Sequence, residues 1–259
     1  MTKTIHNHVQ QICDEHDIIP LIVSENGSRA WGYDSSESDY DVKVVFAHRK
    51  HKYLSLKEPT DCYTRQMDDL HDYTFWDIKK FLKLTQKGNA QVFEVVESPI
   101  IYYQDPRFDT IHDFVTYTCR KNLREIAYHY YGLAHKTYKE RIAESGEPTA
   151  KKYLYVIRPL LHVMYMLGND SLPPLDFQSN VNFAQLPKDV EDEIDSILEK
   201  KRQGLLTTEY KARSQILDRY CEFMIESCKS MIDNYHQEPA TNLLTSDSKY
   251  DIMFRSLLQ

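Results

Sequence analysis

The chain has 259 residues, of which 41% are hydrophobic, 12% aromatic and 27% charged. That is enough apolar material for a sizeable core in one or two domains, and it excludes disordered, collagenous and coiled-coil classes. The formal net charge of −7 argues against a general nucleic-acid coat, which carries a basic balance.

No stretch approaches the ~18 consecutive apolar residues of a membrane span, and the N-terminus lacks the apolar segment of a signal peptide, so the expectation is a cytoplasmic protein with no membrane partner. The cysteines Cys13, Cys62, Cys119, Cys221 and Cys228 are odd in number and contain no C-x-x-C pair. They read as reduced rather than as a disulfide framework or zinc ribbon.

In chain order, Ile5, Val9, Ile12 and Cys13 recur at helical spacing, and the β-branched run from Ile18 to Val23 predicts a strand. A turn-like segment from Glu25 to Asp39 leads into a second strand, where Tyr40, Val42, Val44 and Phe46 alternate with Asp39, Asp41 and Lys43. Residues 47–59 read as a basic loop. Strand character returns at 69–76 and runs into a helix with Ile78, Phe81, Leu82 and Thr85 on one face and Gly88 as its stop. Residues 92–103 are apolar and β-rich but interrupted by Pro99.

Beyond about residue 105 the pattern turns helical, beginning with Ile111, Phe114, Val115 and Thr118. A helix over 149–167 has Thr149 as N-cap, Leu154, Ile157, Leu161 and Met164 on one face, and Pro159 as an expected kink. Two more helices are predicted at about 187–202 and 207–236. Residues 119–158 hold nine Lys/Arg against four Glu, whereas Asp189 to Glu199 contains six acids and no base. The basic block suits either a polyanion or a solvated helix surface.

The most informative stretch is Gly27-Ser28 after an apolar strand, followed by Asp39-Tyr40-Asp41 at the start of the next. Residues i and i+2 of a strand share a face with Cα atoms roughly 6.6 Å apart, which aims both carboxylates at one point. Converging carboxylates beside a Gly-Ser turn suit Mg²⁺ and a nucleotide: Mg²⁺ takes one or two carboxylates plus substrate phosphates, glycine permits close backbone approach, and Ser28 can donate to a phosphate. A polar loop with an Asp-rich turn is the competing reading.

The run from Ser24 to Tyr33, continuing through Ser38-Asp39-Tyr40-Asp41-Val42, resembles the signature of the DNA-polymerase-β superfamily of nucleotidyltransferases, and within it the bacterial and phage branch associated with RNA-repair operons. The likeness continues at Tyr53 to Leu56, Asp72, Trp76 to Leu82, Lys87-Gly88-Asn89, Glu94, Ser98 to Ile100 and Tyr102, and at Lys151 to Tyr155 with Arg158 to Leu161. The last 80 or so residues add nothing to it.

The resemblance implies an α+β fold: a polymerase-β-like catalytic domain with a small mixed sheet over 1–105, and an all-α domain over 106–259 that closes over the nucleotide. It implies a three-carboxylate site in which Asp39, Asp41 and Asp72 bind two Mg²⁺ ions, with Mn²⁺ as the alternative, and Asp72 helps to deprotonate the acceptor. Asp69 and Asp77 compete with Asp72 for the third place, and Asp77 also suits the N-cap of its helix. Gly27, Ser28 and Arg29 would meet the NTP, as would Lys151, Lys152, Tyr155 and Arg158.

Independently, Lys151, Tyr155, Arg158 and His162 recur at helical spacing as a polar stripe that suits a triphosphate or solvent equally. Lys80, Asn89 and Glu94 match the family pattern, and also suit an exposed helix position, a helix terminus and a backbone cap. The expected reaction moves a nucleoside monophosphate from an NTP to a hydroxyl and releases pyrophosphate. An RNA end is the favoured acceptor, ahead of a protein side chain or small molecule. The alternative is a nucleotide-binding, antitoxin-like regulator acting through a protein partner. Oligomeric state is not legible from the sequence.

Overall fold

The computed structural model describes residues 2–145, 148–205, 213–236 and 247–258. The elements run α1 (Thr2–His16), β1 (Ile18–Asn26), α2 (Gly27–Ala30), β2 (Tyr40–His48), α3 (Lys50–Tyr53), β3 (Cys62–Gln66), β4 (His71–Asp77), α4 (Ile78–Gln86), α5 (Ala90–Val96), β5 (Ile101–Gln104) and α6 (Phe108–Lys121). There follow α7 (Leu123–Tyr138), a π-helical turn (Lys139–Ala143), α8 (Ala150–Asn169), α9 (Phe177–Ala184), α10 (Lys188–Arg202), α11 (Gln215–Asn234) and α12 (Asp247–Leu257). The fold is α+β. Among the described residues no helix is long and apolar enough to cross a membrane.

Packing divides the described residues into two compact units, 2–30 with 39–121 and 247–258, and 31–38 with 122–236. A cut at residue 105 therefore differs from the observed units. Helix α6 packs on α4 and α5, where Phe108 meets Phe81 at 6.1 Å between ring centroids, and α12 packs on α4. Conversely, 31–38 leaves the sheet unit although it lies within the first 105 residues.

The first unit is built on a five-stranded mixed sheet of order β3-β4-β2-β1-β5, in which β2 and β4 are parallel and the other neighbouring pairs antiparallel. The apolar stripe of α1 (Ile5, Val9, Ile12, Cys13) seals one face, against Tyr40, Val42, Val44 and Phe46 of β2 and Tyr73 and Phe75 of β4. Because side chains alternate along a strand, Asp41 and Lys43 of β2 and Asp72, Thr74 and Trp76 of β4 take the opposite face. Phe75 lies wholly on the α1 side, so its bulk stays away from Asp72.

The apolar run at 92–103 is not one β-like segment. Residues 90–96 form a helix that Asn89 caps by accepting from the Gln91 N–H at 2.9 Å, and only Ile101–Gln104 pairs as a strand. A short buried apolar run fits helix and strand periods alike, and the cap decides between them. The basic stretch after β2 contains the short helix α3, and β3 beside β4 was not foreseen. Of the helix expected at 207–236, residues 207–212 lie outside the described residues and the remainder forms α11, capped by Ser214.

Candidate functional site

Strand β1 ends at Asn26, directly across from Asp41 on β2, and the chain turns at Gly27 into α2. Gly27 has φ +66°, and a Cβ there would lie 1.8 Å from Asp41 Oδ2, so the Asp41 carboxylate fills the space a side chain would need. Only glycine fits, for both conformational and steric reasons. Among the described residues the Ser28 hydroxyl makes no hydrogen bond. Arg29 turns back, donating from Nε to the Asp39 carbonyl at 3.3 Å and laying its guanidinium 3.9 Å from the centroid of the Tyr40 ring.

The parallel register sets Asp41 beside Asp72, on strands roughly 4.8 Å apart. Asp72 and Asp39 are exposed and Asp41 is half-buried; Asp39 lies two residues before Asp41 at the mouth of β2. The two rivals to Asp72 occupy other places. Asp69 sits in the bend before β4, and Asp77 pairs in register with Phe46, is buried, caps α4 through the Lys79 N–H at 2.8 Å and accepts from the Tyr53 hydroxyl.

Two further charged groups bear on Asp41: Lys43 on the same face, and Glu25, whose register with Val42 turns it to the α1 side. Glu25 is fully buried; its Oε1 accepts the Asp41 N–H at 2.8 Å and its Oε2 the Tyr102 hydroxyl at 2.5 Å, which ties the backbone of Asp41 to β5. Burial raises its carboxyl pKa, against the hydrogen bonds from Tyr102 and Asp41. Lys43 donates to Thr74 Oγ1 at 3.0 Å, and burial lowers its pKa while Asp41, Asp72 and Glu94 pull it back up. The signal for Lys43 was the same alternation that picks out Asp39 and Asp41.

Lys151, Lys152, Tyr155 and Arg158 belong to the second unit, on α8. Lys151 and Lys152 bracket the Tyr155 ring at 5.8 and 5.3 Å, and all three side chains are partly exposed. The expected stripe does not continue as a solvated face. Arg158 is buried with its guanidinium 3.6 Å from the Trp31 ring centroid, and His162 is fully buried edge-on to Tyr130 at 4.8 Å. The cause is the inserted segment 31–38, held by the bond from Phe177 N–H to the Trp31 carbonyl at 3.0 Å and by the Tyr33–Phe177 ring contact. Helix α8 runs through Pro159 without interruption.

Among the described residues no group of three or more His, Cys, Asp or Glu side chains is arranged to hold a metal ion. The Asp41–Asp72 pair nevertheless fits Mg²⁺ chemistry, because that ion takes hard oxygens from one or two carboxylates and completes its shell with phosphates and water.

The model of the family described as RNA repair pathway DNA polymerase beta family, RlaP, matches residues 1–248. The chain belongs to this family. It is similar to the uncharacterized protein YcgL of Bacillus subtilis (strain 168), 28% identical over 236 residues that cover 87% of this chain and 86% of that protein. It is also similar to a crystallised nucleotidyltransferase-like protein from Exiguobacterium sibiricum, at 10% identity over 97% of this chain and 80% of that one, with a TM-score of 0.30.

The run from Ser24 to Tyr33 divides between the two units. Ser24 to Ala30 shape the ground around Asp41, whereas Trp31 and Tyr33 are anchored in the second unit by Arg158, Phe177 and Lys201, whose Nζ lies 4.6 Å from the Tyr33 ring centroid. Of the supporting residues, Asn89 is a helix cap, Lys80 pairs with Asp61 at 3.1 Å, and Glu94 is buried within electrostatic reach of Lys43.

Proposed function

We propose that this protein is a Mg²⁺-dependent nucleotidyltransferase that moves a nucleoside monophosphate from an NTP to a hydroxyl, with an RNA end as the acceptor. The observation that carries this reading is the pairing of Asp41 with Asp72 across two parallel strands, with Gly27 packed against the Asp41 carboxylate. Bound Mg²⁺ would supply charge neutralisation at the attacking and leaving oxygens, held by Asp41 and Asp72 with Asp39 at the edge.

The chain's own residues position the reactants. Gly27 lets the chain turn tightly against the Asp41 carboxylate, and the Ser28 hydroxyl next to it would donate toward the phosphates. The acceptor oxygen forms a bond to the α-phosphorus in line with the bond that breaks, pyrophosphate departs, and the hydroxyl proton passes to a carboxylate oxygen of Asp72. Glu25 fixes the backbone of Asp41 so that its carboxylate does not swing with β2. Lys151, Lys152 and Tyr155 provide cationic and aromatic surface suited to a triphosphate.

Incubation with α-labelled and γ-labelled NTPs and a short RNA tests the proposal. The expected result is transfer of the α label alone to the RNA fraction, dependent on divalent ion. Retention of both labels in intact NTP, with no labelled RNA or protein, would instead make the chain a nucleotide binder acting through a partner.

A further inference from the structure

A cavity of about 710 Å³ in the first unit lies away from the carboxylates, where α3, α4 and α12 meet. Lys50, Lys79, Lys83 and Arg255 line it, with Asp251 as the lone acid in its wall. Such a concentration of cations stands against the −7 charge of the whole chain. Its cations are also weakly compensated. Lys79 meets the exposed Glu58 only at 4.0 Å and Arg255 meets Asp251 at 3.6 Å, while Lys50 and Lys83 make no ion pair among the described residues.

Aromatic and aliphatic side chains share the wall with the charges. The rings of Tyr53 and Phe254 stand edge to face with centroids 5.0 Å apart, and Leu54 beside them is 79% exposed. The Tyr53 hydroxyl is engaged by Asp77 and by the His48 N–H, so that its ring is fixed while part of it remains accessible. Cations spaced around aromatic faces are what a single strand of nucleic acid requires: point charges follow the phosphates and rings stack on the bases. An acidic peptide would use the lysines but leave the ring faces without a purpose.

We infer that this groove binds the body of a single-stranded RNA acceptor. The inference rests on the reading of an RNA end as the substrate of the carboxylate site, and extends it to a second place of contact. From Asp41 to His48 the strand climbs seven residues, roughly 23 Å. Nucleotides held in the groove are therefore well removed from the reacting hydroxyl. Part of the wall is α12, whose residues after 248 lie beyond the family match.

The test is fluorescence anisotropy of the full chain with a labelled single-stranded RNA 12-mer, over a series of salt concentrations. The wild type is compared with the double variant Lys50→Ala/Lys83→Ala and with a control double variant, Lys188→Ala/Lys229→Ala, whose lysines are exposed and already ion-paired. Loss of two phosphate contacts should make the slope of log affinity against log salt shallower by about 1.4 and weaken binding about 10-fold at low salt, with the control unchanged. Equal losses in both double variants, or RNA binding unchanged in the groove variant, would refute the groove while leaving the RNA acceptor intact. No RNA binding by the wild type at any salt would remove both. Displacement of the RNA by a poly-glutamate peptide at lower concentration than by unlabelled RNA would reassign the groove to acidic protein.

Discussion

The β2–β4 face of the first unit and the α8 face of the second began as the same kind of signal, polar residues repeated at the period of their element, and the structure gives them different characters. On the sheet, register keeps Asp41 and Asp72 on the face opposite α1, half-buried and exposed, beside a turn that only glycine can make, with the exposed Asp39 just before the strand. On the helix, the stripe divides after Tyr155, because 31–38 packs over Arg158 while His162 lies in the core. Periodicity reports which side chains share a face. What covers that face is decided by chain that lies far away in sequence.

The sharpest way to break this contrast is Asp41→Asn. Transfer should fall by at least roughly 10²–10³-fold, since an electrostatic contact to the developing charge is lost, while the unfolding midpoint barely moves. Arg158→Ala should do the reverse of what its phosphate-binding reading implies. Loss of a desolvated cation–π contact with Trp31 should lower stability by about 2 kcal/mol, measured by denaturant unfolding. A fall in NTP affinity with unchanged stability would restore the functional stripe.

His162 sharpens the comparison through pH. Burial, with the Arg158 charge adding to it, holds its pKa well below 6.5, and the groups facing it are Tyr130 and Arg158. The unfolded chain takes up a proton below its own pKa that the folded chain refuses. This stability is therefore fully present above about pH 6.5 and is lost as pH falls, by up to ~1.4 kcal/mol per pH unit. Thermal unfolding of His162→Leu between pH 7 and 5 should lack that component. The smallest effect belongs to Lys80→Ala, which removes a partly exposed pair with Asp61 and should cost less than about 1 kcal/mol, with transfer rates unaltered.

Much of the first unit was legible. The alternation from Asp39 to Phe46 has one solution as a strand with a sealed face, and Gly27-Ser28 after an apolar run marks the turn. Asp72 could be placed only by resemblance, because its relation to Asp41 is a property of strand pairing; a shift of one residue would have turned it into the α1 core. Glu25 escaped notice because nothing local shows that its carboxylate holds a backbone N–H sixteen residues away together with the Tyr102 hydroxyl. The burial of Arg158 escaped for the same reason: Trp31 is 127 positions distant, only four residues after Gly27, which packs against Asp41 in the other unit.

The claim on which all this depends is that the Asp41–Asp72 face grips divalent ions together with a nucleotide. Electron paramagnetic resonance of Mn²⁺, titrated with an unhydrolysable NTP analogue into wild type and Asp41→Asn, addresses it directly. The account predicts nucleotide-dependent Mn²⁺ binding by the wild type and its loss in the variant, at equal thermal stability. Equal Mn²⁺ binding by the two proteins would contradict it.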